Sequence, residues 1–218
     1  ADTLLMEAKK DSKIIVVTSD SRGSGKLVPF GKELPQQIVE VGIAEQNLVG
    51  ISAGLSASGK KVFAVSPASF LTARSLEQIK ADIAYSDQPV CLVGISAGIS
   101  YGQLGSTHHS IHDFAVMRCI NNMTIVAPAD NFEASEVIKQ AVNNYKPFSP
   151  HESTLIMHFQ KHSHSGKPLK IKPCISGTTS ICVADLLCVA LQKEEEKHGV
   201  GIYCCVLRFA WKLTQEFP

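Results

Sequence analysis

Glu45 stands where a carboxylate has little access to water. It follows Ile43 and Ala44 at the start of residues 43–58, an apolar stretch with helical spacing. Burial disfavours a charged carboxylate, whereas the positive end of a helix favours it. A glutamate in this position is either a satisfied structural group or an acid/base residue. The residues alone leave both readings open.

Residues 23–26 (Gly-Ser-Gly-Lys) have the outline of a phosphate-binding loop. That loop needs a glycine where Asp20 stands and a serine or threonine at Leu27, because this hydroxyl binds Mg²⁺. Both are missing, so the segment is predicted to form a turn.

Six histidines form two groups whose spacing matches no zinc motif, so no metal site is predicted on them. The groups are His108, His109 and His112, and His158, His162 and His164.

These residues lie among alternating strand and helix patterns, which predict a mostly parallel sheet sandwiched by helices, an α/β fold. The predicted strands are residues 14–18, 62–65, 90–95 and 124–126, and the predicted helices are residues 43–58, 70–86 and 131–145. Asp130 and Glu133 form a capping box at the start of the last helix. Ligands of such folds bind at the carboxyl ends of the strands.

The pattern changes after Pro150, which divides the chain into three predicted parts. Residues 1–150 form the α/β domain, and residues 151–173 form a linker with one strand at residues 155–159. Residues 174–218 resemble the start of a further α/β domain, with a helix at residues 184–198 and a strand at residues 201–209.

Composition excludes several classes of function. The 218 residues are 44% hydrophobic, and 21 basic against 20 acidic side chains give a net charge of +1. This balance argues against binding to nucleic acid or to an anionic membrane. The longest apolar stretch, residues 89–99, is too short to span a bilayer. We expect a cytoplasmic protein whose seven cysteines are reduced.

Several motifs in register resemble the pyrimidine-binding domain of transketolases. They are residues 42–47 (Gly-Ile-Ala-Glu-Gln-Asn), 50–55 (Gly-Ile-Ser-Ala-Gly-Leu), 74–79 (Arg-Ser-Leu-Glu-Gln-Ile), 105–108 (Gly-Ser-Thr-His), Asp113 and 127–130 (Ala-Pro-Ala-Asp). The similarity covers residues 13–148 and is greatest to the separately encoded C-terminal half of a split transketolase.

The resemblance implies thiamine diphosphate as cofactor and a sugar phosphate as substrate. The glutamate matching Glu45 contacts N1′ of the aminopyrimidine, where a carboxyl favours the imino tautomer of the 4′-amino group. Phe70 and Ile43 match cofactor contacts, and Phe70 packs on the pyrimidine ring. His108 matches a catalytic histidine that faces the substrate, and Ser24 matches a serine near the sugar phosphate.

Three positions depart from the family pattern. Pro67 stands where the family has an aromatic residue that contacts the pyrimidine. Ser96 stands in place of a histidine that contacts phosphate, and Leu104 stands in place of an aspartate that binds a substrate hydroxyl. The cofactor side is therefore expected to be better preserved than the substrate side.

The family's Gly-Asp-Gly motif, which holds the diphosphate through Mg²⁺, does not occur in the 218 residues. We therefore expect a separate diphosphate-binding subunit that holds Mg²⁺, in a homodimer or heterotetramer. Gly50 and Gly54 lie on one helix face, which is expected to pack closely, with a partner subunit as one candidate.

Two alternatives remain open. One is a non-catalytic structural or regulatory subunit with the same fold, suggested by the three departures. The other is a different thiamine enzyme, such as a deoxyxylulose phosphate synthase or the β subunit of a 2-oxoacid dehydrogenase, although residues 74–79 favour transketolase over the dehydrogenase.

Overall fold

A computed structural model describes residues 1–143 and the backbone of residues 153–158. Six parallel strands form one sheet in the order β2-β1-β3-β4-β6-β5. The strands are β1 Ile14–Thr18, β2 Ile38–Glu40, β3 Lys61–Pro67, β4 Cys91–Ile95, β5 Met123–Val126 and β6 Ser153–His158. The predicted mostly parallel α/β fold is confirmed.

Helices cover both faces of the sheet. They are α1 Asp2–Ala8, α2 Val28–Glu33, α3 Glu45–Ala57, α4 Ala68–Arg74, α5 Leu76–Gln78, α6 Asp113–Met117 and α7 Asn131–Asn143. A π-helical segment, Ile79–Tyr85, follows α5, and short 3₁₀ turns occupy Pro35–Gln37 and Gly102–Leu104. In the described residues no helix has the length and apolarity required to cross a membrane.

Strand β1 shows why the sheet is buried on both sides. All five of its residues are buried, as expected for a parallel strand covered by helices on each face. Ile15 and Val17 pack with α3, α4, α6 and the π-helical segment, whereas Ile14 and Val16 pack with α1, α2 and α7. The alternation of side chains along a strand creates these two cores.

The helix predicted at residues 70–86 is divided into α4, α5 and the π-helical segment. The interruption falls at Ser75, whose φ of −109° and ψ of 20° are not helical. Its buried hydroxyl donates to the carbonyl of Leu71. A hydroxyl bonded to the carbonyl four residues earlier competes with the helix hydrogen bonds and accompanies the break, although the same bond from Ser52 to Leu48 leaves α3 continuous.

The predicted capping box at the start of α7 is present with one difference. Asp130 Oδ1 accepts from the backbone nitrogen of Glu133 at 2.8 Å. The Glu133 carboxylate reaches back to the nitrogen of Ala129, also at 2.8 Å, rather than to that of Asp130. Residues 144 and 145 of the predicted helix lie outside the described residues.

The strand predicted at residues 155–159 occurs as β6, Ser153–His158, and it pairs with both β4 and β5. The sheet therefore continues past residue 150, where the sequence pattern placed the end of the domain. The limits of the linker at residues 151–173 and of the part at 174–218 stay predictions. The helix and strand predicted after residue 183 lie outside the described residues.

The glycine face of α3, formed by Gly50 and Gly54, is open in the part of the chain that the structure describes. A Cβ built on Gly54 would meet no atom within 4 Å, and one on Gly50 would meet only Oδ2 of Asp82, at 3.9 Å. No helix of residues 1–143 packs closely on these glycines, so the expected close approach does not occur within that part of the chain. Packing of this face on a partner subunit stays a prediction.

Candidate active site

The carboxyl edge of the sheet, where β1, β3 and β4 end, brings together most of the predicted site residues. Glu45 is the first residue of α3, and its side chain is only 4% exposed. Phe70 lies in α4, which begins directly after β3. His108 lies in the loop between β4 and α6.

Arg74 connects the acid to the aromatic ring. Its Nη1 donates to both carboxylate oxygens of Glu45, at 3.1 and 3.2 Å. Its guanidinium carbon also lies 4.0 Å from the centre of the Phe70 ring, in a cation–π contact. The arginine therefore provides the counter-charge for the buried carboxylate.

Aromatic contacts extend from Phe70 towards the predicted substrate side. The rings of Phe70 and His108 meet edge to face with centres 5.1 Å apart. Tyr101 contacts the same histidine ring in the same manner at 5.4 Å, and a 3.0 Å hydrogen bond joins His108 Nδ1 to the hydroxyl of Thr107. These contacts fix the orientation of the imidazole.

A concave surface opens beside this cluster. It is lined by Ile43, Ala44, Glu45, Gln46, Asn47 and Arg74. Ile43 is 74% exposed, which is unusual for a large aliphatic side chain, and it stands at the rim. This open surface therefore places an exposed aliphatic side chain close to the buried carboxylate.

Asp113 is a second buried carboxyl near this edge. Ser110 donates to its Oδ2 at 2.6 Å, and the backbone nitrogen of Phe114 donates to its Oδ1 at 2.7 Å. Burial raises the pKa of Asp113, and these hydrogen bonds oppose the rise only in part. The residue fixes the start of α6 and hence the end of the loop that carries His108.

The remaining predicted residues lie elsewhere or serve other purposes. Residues 23–26 form the predicted turn, in which Ser24 is exposed; its substrate role stays a prediction. His109 bonds to the carbonyl of Gly102 at 3.0 Å, and no metal-binding group of three or more side chains occurs in the described residues. The second histidine group has no described side chains.

The three departures from the family pattern also surround this edge. Pro67 is the buried last residue of β3, and Ser96 is buried directly after β4 with a φ of +55°. Leu104 is 53% exposed.

Sequence reasoning assigned no role to Arg74 or Tyr101. Arg74 follows Phe70 by four residues in a helix, so their shared face could have been inferred from helical spacing. Tyr101 lies in an irregular loop, where no periodicity indicates its neighbours.

Comparison with known proteins identifies the family of this chain. The family described as "Transketolase, pyrimidine binding domain" matches residues 1–150. A subunit of the apulose-4-phosphate transketolase from Phocaeicola vulgatus is 54% identical over 146 residues, which are 67% of this chain and 47% of that protein. A 6-deoxy-6-sulfo-D-fructose transketolase subunit from Clostridium sp. is 33% identical over 146 residues, 67% of this chain and 45% of that protein.

A solved structure gives the same result. "Split gene transketolase, inactive beta4 tetramer" has 32% identity and a TM-score of 0.61, and the match covers 81% of this chain and 53% of that one. The chain spans about half the length of the curated relatives it matches.

Proposed function

The chain belongs to the transketolase pyrimidine-binding domain family, and from this premise we propose that it is the pyrimidine-domain subunit of a two-subunit transketolase. In this role it would help to move a two-carbon ketol unit between sugar phosphates. The observation that carries the proposal is the buried carboxylate of Glu45, held at the start of α3 by Arg74, which also contacts the ring of Phe70.

The residues present fit the pyrimidine end of thiamine diphosphate. Glu45 supplies a carboxyl that can share a proton with N1′, Phe70 supplies a ring for stacking, and Ile43 supplies an apolar contact at the rim. When bound, the cofactor would supply an acidic thiazolium carbon that can serve as the nucleophile towards a ketose carbonyl. The part of Glu45 is to hold the pyrimidine in the tautomer that accepts the proton of this carbon.

The diphosphate end would be held by a second subunit. Two relatives are named as subunits of transketolases, and the segment that matches them contains no Gly-Asp-Gly motif. We therefore assign Mg²⁺ and the diphosphate to a separate cytoplasmic partner. A homodimer of such pairs, or a heterotetramer, is the proposed assembly.

On the substrate side, two charged residues of the family pattern are replaced by uncharged ones. Ser96 and Leu104 replace a cation and a carboxylate, so this side would recognise fewer polar groups of a sugar phosphate. The two relatives described above are named for different sugars, apulose 4-phosphate and 6-deoxy-6-sulfo-D-fructose. Ser24 and His108 are the proposed substrate contacts.

Calorimetry with the partner subunit tests this function. The expected partner is a separately encoded chain that carries Gly-Asp-Gly followed by asparagine, and a neighbouring reading frame that encodes such a chain would support the proposal. We expect thiamine diphosphate to bind very weakly to the isolated chain and tightly to the mixture with Mg²⁺. Tight Mg²⁺-dependent binding to the isolated chain would contradict the division of the site between two subunits.

The non-catalytic subunit is the alternative, and the substitutions at Pro67, Ser96 and Leu104 favour it. The two proposals differ in the chemistry of the loaded complex. A catalytic complex accelerates deuterium exchange at thiazolium C2 over the free cofactor, whereas a complex with a non-catalytic subunit does not.

A further inference from the structure

Arg74 contacts both Glu45 and Phe70, the two side chains that would bind the pyrimidine ring in the proposed function. Its guanidinium donates to the carboxylate of Glu45 at 3.1 and 3.2 Å, and it lies 4.0 Å above the ring of Phe70. A single side chain thus covers the acid and the aromatic platform at the same time.

The guanidinium of Arg74 shares several properties with an aminopyrimidine ring. It is flat, it has N–H groups along its edge, and it both stacks on an aromatic face and donates to a carboxylate. An aminopyrimidine that stacks on Phe70 and reaches Glu45 with an edge nitrogen must satisfy the same two contacts. Arg74 makes both of these contacts in this structure.

We propose that Arg74 occupies the pyrimidine position of the cofactor-free subunit and gives way when thiamine diphosphate binds. This inference rests on the proposed function and adds the residue with which the cofactor competes. The backbone of Arg74 is anchored because Gln46 Nε2 donates to its carbonyl at 3.1 Å. The side chain is 49% exposed, so it can swing into solvent without moving the helix.

The empty subunit needs such a group because Glu45 is 4% exposed. A buried carboxylate without a partner strongly destabilises a folded protein. Arg74 neutralises it until a pyrimidine nitrogen takes over one of its oxygens. Part of the cofactor's binding energy is then used to displace the arginine.

Arg74→Met tests this competition, because methionine keeps an apolar stem against Phe70 and removes the charge. The variant is mixed with the partner subunit and Mg²⁺, and thiamine diphosphate is titrated by calorimetry. We expect about 5- to 30-fold tighter binding than in the wild type, since the cofactor no longer breaks a charged hydrogen bond. Arg118→Met, which removes an exposed arginine at the end of α6, is the matched control and leaves the affinity unchanged.

Weaker or unchanged binding in Arg74→Met, with normal binding in the wild type, overturns the inference and leaves the proposed function standing. A wild-type complex that binds no thiamine diphosphate refutes the proposed function, and the inference falls with it. A purely structural role for Arg74 predicts weaker binding, so it is distinguished by the sign of the change.

A melting experiment on the full chain without cofactor supplies an independent readout. We expect Arg74→Met to lower the melting temperature by several degrees and Glu45→Gln/Arg74→Met to recover most of the loss, because the amide carries no charge to be neutralised. A melting temperature of Arg74→Met equal to that of the wild type would contradict the proposal that Arg74 occupies the pyrimidine position and neutralises Glu45. A double variant as unstable as the single one would contradict it as well.

Discussion

At the amino edge of the sheet the described polar side chains are well supplied with partners, whereas at the carboxyl edge several are not. The two N–H groups of Gln37 Nε2 are shared among the carbonyls of Ala8, Asp11 and Ile14, which lie 2.9–3.1 Å away. Asp11 Oδ1 accepts from the nitrogen of Lys13 at 2.9 Å, and its Oδ2 pairs with Lys61 at 3.0 Å.

The carboxyl edge keeps buried polar atoms without such bonds. Within residues 1–143, the side-chain oxygens of Thr18 and Ser69 and Nε2 of His112 have no hydrogen-bond partner. Glu45 depends on a half-exposed arginine for its counter-charge. One edge is built to hold the strands together, and the other retains unsatisfied groups where a ligand is proposed to bind.

The largest effect is expected from Glu45→Gln in the assembled complex. The amide keeps the shape and one hydrogen bond but cannot share a proton with N1′ in the same way. Deuterium exchange at thiazolium C2, followed by NMR after acid quench, should slow by about 10²–10⁴. Cofactor binding should remain, which separates a chemical loss from a binding loss.

Fast exchange that persists in Glu45→Gln would show an active complex in which this carboxylate is not the acid/base group. Wild-type exchange no faster than that of the free cofactor would favour the non-catalytic subunit instead.

Gln37→Ala is the counterpart at the amino edge. Removing the amide leaves three carbonyls without this donor, and we expect the free energy of unfolding to fall by about 2–3 kcal/mol. Urea unfolding of the full chain measures the loss, and Gln36→Ala, at an exposed neighbour, serves as the control. Any loss of C2 exchange in the folded complex would contradict the separation of the two edges.

The contributions of Asp113, near the carboxyl edge, and Asp11, at the amino edge, to the free energy of unfolding should change with pH in opposite directions. Burial raises the pKa of Asp113, so its stabilising contribution is present below about pH 3.9 and is lost as the pH rises through the folded-state pKa. The backbone bond from Lys13 is the main cause that lowers the pKa of Asp11, so its contribution is present above about pH 3.9 and is lost on acidification.

Urea unfolding at a series of pH values tests both signs. Asp113→Asn should remove a fall in stability on the alkaline side of about pH 3.9, and Asp11→Asn should remove a fall on the acid side. Parallel pH profiles for the two variants and the wild type would refute this assignment.

The smallest effect is expected from Gly54→Ala in α3, the helix that begins with Glu45. The open space around Gly54 accepts a methyl group, and alanine should stabilise the free chain by about 0.5–1 kcal/mol. If a partner helix packs there, the same change should weaken assembly. Thermal melting and the mass of the assembly by light scattering measure the two effects, and a stabilised chain with unchanged assembly would exclude that helix contact.

Much of the fold follows from local pattern. The continuous β-branched residues of β1 and the capping pair at Asp130 and Glu133 each indicate one structure, because burial and hydrogen bonding act on neighbours in sequence. The division of the predicted helix at Ser75 was missed because the helical spacing of the apolar residues continues on both sides of the break.

The candidate site was predictable only in part. Glu45 is marked by its apolar neighbours, and its contact with Phe70 through Arg74 joins two helices that are distant in sequence. Tyr101 reaches His108 from a loop, so its position depends on backbone geometry that no pattern encodes.

The position of β6 has a consequence for folding during synthesis on the ribosome. It is the last strand of the described chain to be translated, and yet it lies between β4 and β5. A ribosome adds about 5–20 residues per second, so the nascent sheet waits several seconds between the completion of β4 and that of β6. During this time β4 presents an unpaired edge on which another nascent chain can pair. Chaperone protection of that edge would matter most while residues 96–158 are being made.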